Sequence, residues 1–309
     1  MTCVCRPLAL LLMVVIGIVL LAACDDDAGS EGGDRPALVI GGIPDQDVSS
    51  LERQFGLLAD YLARETGLEV RYVPSIDYAA IVTAFGRGDV QLAWFGGLTG
   101  VQAEDADPGS VAIAQRPRDA EFHSVFIVQA GRAVDALEDI AGLSFTFGSE
   151  SSTSGHLMPR FFLREAGIDA DDDLDGDPGY SGSHDKTWQL VQAGAFQAGA
   201  LNEAVWEAAI AADKVDTDKV RAFLRTPPYF DYNFRVRSDL DEVYGAGTTD
   251  AIAAALFRLS ADLGAAEAEL LERFQTDTFV ATENANYQAI RDVAESIGII
   301  RGGGRLVDR

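Results

Sequence analysis

The sequence predicts a two-lobed α/β protein with a helical tail, on three observations. From Pro36 onward, short apolar runs of strand character alternate with segments of helical spacing. The same alternation restarts at Leu137. From about Thr249 the patterning is helical alone. Two βα-rich halves of this kind fold as two lobes, and 309 residues of which 48% are hydrophobic are ample for their cores.

Taken in order, Ala37 to Ile40 reads as a buried strand. Ser49-Ser50-Leu51-Glu52 fits a capping box with Ser49 as N-cap, and Leu51, Phe55, Leu58 and Leu62 follow at helical spacing until Gly67. Val70 and Tyr72 mark a second strand. Asp77 caps a helix that runs to about Phe85 and stops at Gly86. Val90 to Trp94 and Ser124 to Val128 read as strands. In the second half a short helix precedes the strand Leu143 to Phe147, and a helix starts at Ser154. Another runs from His184 or Asp185 to Val191. Ala198 to Leu201 is a strand and Ala204 to Ala211 a helix. Val220 to Leu224 and Asn233 to Val236 are strands flanking Pro227-Pro228. The tail is helical over Thr249 to Leu263, Ala265 to Phe274 and Asn284 to Ile297.

The N-terminus reads as an address. Arg6 precedes an apolar run from Leu8 to Ala23 that is too short to span a bilayer, which needs about 20 residues. It has the form of a secretory signal peptide. It ends in Leu21-Ala22-Ala23-Cys24, a pattern similar to the bacterial lipobox, which implies cleavage before Cys24 and lipidation of its thiol. Cys3, Cys5 and Cys24 are the only cysteines, so the body is expected to hold neither disulfide nor thiolate metal site. Asp25 to Asp34 has the composition of a flexible tether. The net charge of -25 makes nucleic acid and anionic membrane surfaces poor partners.

The segment richest in chemistry is Ser149-Glu150-Ser151-Ser152-Thr153-Ser154-Gly155-His156, between a strand and a helix. First-turn N–H groups lack intrahelical partners and the helix dipole adds partial positive charge, so such a turn suits an anion. Its hydroxyls add donors without net charge. Ser181-Gly182-Ser183-His184-Asp185-Lys186 opens a second helix with an imidazole at its start. Enzyme signatures fail. There is no phosphate loop, Gly148 and Gly155 are too far apart for a nucleophile elbow, and His123, His156 and His184 form no metal-ligand pair. Asp171 to Gly176 begins like a calcium loop but has Gly182 where the bidentate carboxylate is needed.

These motifs give the chain a family resemblance. From about Leu38 to Ile300 it resembles periplasmic substrate-binding proteins of phosphonate/phosphite/phosphate ABC importers, nearest a branch of lipoproteins named for selenate binding. The matching segments are Asp77-Tyr78-Ala79-Ala80, Leu92 to Gly97, His123 to Phe126, Ser152 to Pro159 and Ser183-His184-Asp185, in the family's order. The resemblance implies a two-lobed periplasmic binding protein fold of type II with a cleft between the lobes. It also implies that Ser152, Thr153, Ser154, His184 and Tyr78 donate to an oxyanion. Two departures stand out. Phe95 replaces a tyrosine of the phosphonate binders, and Tyr232, with Asp231 beside it, aligns with their carboxylate. The His123 position is aromatic in relatives and is a candidate cleft residue.

The expected organisation is a signal peptide over 1–23, a tether over 24–36, a first lobe from 37–128 plus 230–309, and a second lobe over 129–229. The expected function is capture of a small tetrahedral oxyanion, without catalysis or cofactor, by an exported, lipid-anchored monomer that serves an ABC permease and ATPase. Reuse of the fold in a sensory lipoprotein, and a hydrolase using Ser152 or Ser154, are the competing readings.

Overall fold

The computed structural model describes residues 35–301 and 305–306; the expected leader, the lipidation site Cys24 and the tether up to Asp34 lie outside the described residues. The described body forms one compact unit. It begins β1 (Leu38–Gly42), α1 (Val48–Thr66), β2 (Val70–Tyr72), α2 (Tyr78–Arg87), β3 (Leu92–Phe95), α3 (Gly97–Ala106) and β4 (Val111–Gln115). A second group follows: β5 (Ser124–Gln129), β6 (Phe145–Phe147), α4 (Met158–Glu165), β7 (Gly179–Tyr180), α5 (His184–Gln192), β8 (Ala198–Asn202), α6 (Glu203–Ala211) and β9 (Val220–Arg225). The chain then returns through β10 (Asn233–Val236), α7 (Leu240–Tyr244), α8 (Thr248–Arg258), α9 (Ala265–Phe274), β11 (Val280–Ala281) and α10 (Gln288–Ser296).

Two mixed sheets result, in the orders β11-β4-β10-β3-β1-β2 and β7-β6-β8-β5-β9. In the first, β1 is buried along its length and runs parallel between β2 and β3, as an apolar strand covered on both faces should. The stripe Leu51, Phe55, Leu58 and Leu62 turns α1 onto it. Trp94, Phe234, Phe274 and Phe279 pack as tilted and edge-on rings at the other end of the sheet. In the second sheet, the period of two along β5 sends Phe126 and Val128 to one core and Val125 and Ile127 to the opposite one.

Ser124 to Val128, expected to close the first lobe, lies in β5 of the second sheet, which pairs antiparallel with both β8 and β9. The crossing therefore falls earlier. Phe122 and Tyr229 exchange backbone hydrogen bonds of 2.8 and 3.0 Å and tie the two crossing segments together. Other differences are local. Asp47 caps α1 by accepting from Ser50 N, where Ser49 was expected; its carboxylate is a strong acceptor placed where the helix dipole favours negative charge. Asp77 caps α2 as expected, but the helix continues to Arg87. The chain from Thr153 to Leu157 is a wide π-turn before α4 begins. Sequence periodicity misses α3 because Gly97 to Ala103 are all buried, which leaves no polar face to give the helix a stripe.

Between β4 and β5, Arg116 and Asp119 form a buried two-point ion pair of 2.9 Å (Nε to Oδ2) and 2.6 Å (Nη2 to Oδ1). Arg116 also donates to the carbonyl of Phe274. Removing one partner strands a buried charge. Asp119→Ala is thus expected to cost about 3–5 kcal/mol, read by denaturant titration of the ligand-free protein.

Candidate anion-binding site

Three pieces of chain meet between the sheets. The first is the π-turn after β6, where Ser152 Oγ accepts from Gly155 N and closes the turn. The second is the start of α3, where Leu98 N donates to Thr153 Oγ1 at 2.9 Å and joins one lobe to the other. The third is the second crossing segment, where Asp231 Oδ1 accepts from Gly97 N at 2.8 Å. A Cβ on Gly96 would lie 3.0 Å from both Asp231 Oδ1 and Thr153 Oγ1. The absence of a side chain at Gly96 is what allows these groups to approach, and the structure is a closed one.

Two polar groups at this junction are buried with no hydrogen-bond partner among the described residues: the Tyr78 hydroxyl and Asp231 Oδ2. Burial pushes the Tyr78 phenol well above its ordinary pKa, with the charges of Asp45 and Asp231 adding to the effect and the Ser152 hydroxyl opposing it. The phenol is therefore a neutral donor. Burial raises Asp231 to about 7, against the Gly97 N–H and the hydroxyls of Thr153 and Ser154. One donor and one acceptor thus face the same junction unsatisfied, beside N–H groups of the turn that, as at any helix start, have no intrahelical acceptor.

His184 completes the site from the start of α5. A Cβ on Gly155 would lie 3.1 Å from its Cε1, which places the ring against the π-turn. Asn202 N donates to His184 Nδ1 at 3.3 Å, so the ring proton resides on Nε2. Burial lowers its pKa to about 3, so the imidazole is neutral at physiological pH and presents an N–H.

The structure therefore brings Tyr78, Ser152, Thr153, Ser154 and His184 together. Three other expected residues have partners of their own. Phe95 is fully buried in the first lobe's core, edge-on to Phe85 with ring centroids 5.4 Å apart. His123 Nδ1 lies 2.6 Å from the Thr226 carbonyl on the crossing segments. Tyr232 donates to Asp45 Oδ2 and accepts from Asn202 Nδ2, and its hydroxyl also lies 3.5 Å from His184 Nε2. The carboxylate expected to be missing is present one residue earlier, as Asp231. In extended chain neighbouring residues face opposite sides, so Asp231 and Tyr232 meet different partners. The signal in the sequence is a lone acid between Phe230 and Tyr232. The Glu150 side chain is exposed.

Because the Tyr78 hydroxyl has no partner of good hydrogen-bond geometry among the described residues, Tyr78→Phe is expected to leave stability without anion unchanged or raise it by up to about 1 kcal/mol. Anion affinity should fall at least tenfold, about 1.4 kcal/mol. Thermal melts with and without anion check both halves.

Two α/β lobes on crossing segments, closed around neutral donors and one acid, define a solute-binding protein of the type II periplasmic fold. The family described as ABC transporter, phosphonate, periplasmic substrate-binding protein matches residues 40–287, and the chain belongs to that family. It is 39% identical over 270 residues to the probable ABC transporter phosphite binding protein PhnD1 of Prochlorococcus marinus (strain MIT 9301), covering 85% of this chain and 91% of the relative. The structure of that PhnD1 in complex with methylphosphonate superposes with a TM-score of 0.82, covering 85% of this chain and 99% of the other. The phosphate-import protein PhnD of Mycolicibacterium smegmatis is 28% identical over 188 residues, covering 54% of this chain and 59% of the relative.

Proposed function

We propose that this chain is the receptor of an ABC importer for small tetrahedral oxyanions of the phosphite and phosphonate class, bound with one proton shared between anion and Asp231. The observation that carries the reading is the pairing in one site of a donor, the Tyr78 hydroxyl, with an acceptor, Asp231 Oδ2, neither of which has a hydrogen-bond partner of good geometry among the described residues. The hydroxyls of Ser152, Thr153 and Ser154 and the Nε2–H of His184 supply neutral donors for the remaining oxygens. Relatives described as binding phosphite and methylphosphonate support the same class. Selenate fits less well. It keeps no proton near neutral pH and would meet an increasingly ionised Asp231 as pH rises through about 7.

A serine hydrolase is disfavoured by the same geometry. His184 Nδ1 is committed to Asn202 and Nε2 bears the proton, so the ring has no free lone pair to activate a serine. In this reading the protein works as a monomer anchored through a lipid on Cys24 and delivers its anion to a permease and ATPase. Calorimetry against phosphite, methylphosphonate, phosphate, sulfate and selenate tests it, with His184→Ala beside wild type. Submillimolar binding of phosphite or methylphosphonate, weakened by His184→Ala, is the expected result. Binding no tighter than millimolar to every anion overturns the reading.

A further inference from the structure

A second set of hydrogen bonds joins the lobes beside the anion site. Asp45, on the loop after β1, is buried at 3% exposure. Its carboxylate accepts from the Tyr232 hydroxyl at 2.8 Å, and that hydroxyl accepts from Asn202 Nδ2 at 2.9 Å. Asn202 stands at the end of β8 in the second lobe. Its other amide atom, Oδ1, accepts from Val205 N and caps α6. The Asp45 carbonyl also accepts from His184 N at 3.1 Å, and Asp47 N donates to Asp185 Oδ2 at 3.1 Å. The chain of bonds thus starts in the first lobe, passes through a residue of the crossing segment and ends on two elements of the second lobe.

The middle link is held in place. The Tyr232 ring stacks on Trp94, with centroids 5.4 Å apart and planes 23° apart. The Arg116 guanidinium lies 4.9 Å from its centroid, and Arg116 is itself fixed by Asp119. The ring is therefore held by side chains of the first lobe. A small polar cavity lined by Asp45, Gln54, Arg116, Asn202 and Tyr232 follows this seam.

We propose that Asp45, Tyr232 and Asn202 form a closure latch, a set of positioning residues that hold the lobes together without touching the anion. The proposal rests on the reading of the protein as a hinged anion receptor. Separation of the lobes breaks Asn202 from Tyr232 and His184 N from the Asp45 carbonyl. The latch reaches the anion site only through the Tyr232 hydroxyl, 3.5 Å from His184 Nε2, so its loss weakens every anion by one common factor. Loss of an anion contact such as Tyr78 or Asp231 changes the ranking among anions.

The test uses Tyr232→Phe, which keeps the stacked ring, and Asn202→Asp, which keeps the capping oxygen and removes the amide donor. Stopped-flow binding of phosphite and methylphosphonate gives the rates, and small-angle scattering of the ligand-free proteins gives compactness. We expect dissociation of both anions to quicken about tenfold in each variant, with association unchanged and the affinity ratio between the anions preserved. The ligand-free variants should be less compact than wild type. Unchanged dissociation, or a shift in the ratio that would make Tyr232 a ligand contact, overturns the latch. If wild type binds neither anion, the functional reading fails, and the scattering decides the latch by itself: equal compactness of wild type and variants overturns it.

Discussion

Asp231→Asn is expected to flatten the pH dependence of anion binding and to erase discrimination against a fully deprotonated anion. In the proposed reading the wild-type site holds one proton between Asp231, whose pKa burial raises to about 7, and the bound anion. Above the pKa of both, that proton must be taken from solvent, so affinity falls by about tenfold per pH unit. Asparagine has no such proton to lose. It also offers an N–H, so the preference for phosphite over selenate should drop at least tenfold, about 1.4 kcal/mol. Calorimetry from pH 6 to 9 reads both effects; an unchanged pH slope would place the proton elsewhere.

The same substitution carries a stability signature. A carboxyl with a raised pKa binds its proton more tightly when folded than when unfolded. Its favourable contribution is present at low pH and is lost as pH rises from about 4 through 7. Asp231→Asn should therefore be more stable than wild type at pH 8, by on the order of 3 kcal/mol, with the gap closing toward pH 4. His184 runs the other way. Its lowered pKa, about 3, stabilises the fold above the ordinary imidazole value, and that contribution is lost as pH falls through the range down to 3. Taking the difference between variant and wild type isolates Asp231 from this opposing term.

Gly96→Val should abolish binding while both lobes stay folded. Gly96 has φ -78° and ψ 170°, extended backbone open to any residue, so no conformational strain is added. The effect is contact alone. The new Cβ would sit 3.0 Å from Thr153 Oγ1 of the other lobe and equally near Asp231 Oδ1, with two methyl groups beyond it. As the N-cap of α3, valine costs up to about 1 kcal/mol relative to better caps. Closure should suffer far more, with affinity lower by at least a hundredfold, about 2.7 kcal/mol. Gly96→Ala should fall between. Wild-type affinity in Gly96→Val would mean that this closed contact is not part of binding.

The candidate donors were legible in the sequence because a hydroxyl-rich helix start has a local physical meaning. Orphan N–H groups and a dipole exist wherever such a turn forms, so the segment Ser149 to His156 could be read as anion-friendly, and the family resemblance then implied Ser152, Thr153 and Ser154 within it. His184 was legible for the same reason, at the start of a second helix. The acceptor was not. Asp231 and Tyr232 are neighbours of opposite facing, and no local pattern says which one faces the cleft. Asp45 and Asn202 carry no local signal, since one ends up in a loop after a buried strand and the other at a strand end. A residue at the end of a strand, such as Phe95, can face the cleft or the core, and only the tertiary structure shows its ring packed against Phe85.

By itself, then, the sequence determined the alternation of strand and helix, the two-lobed class and the anion-friendly turn, since each follows from periodicity, capping and backbone donors within a few residues. The tertiary structure decided which acid meets that turn, where the chain crosses between lobes, and which residues bind the lobes to each other. Asp231 lies 77 positions beyond Ser154, and Asp45 is 187 positions from Tyr232. Partnerships over such separations depend on how the two sheets pack across the crossing, and local sequence holds no record of that packing.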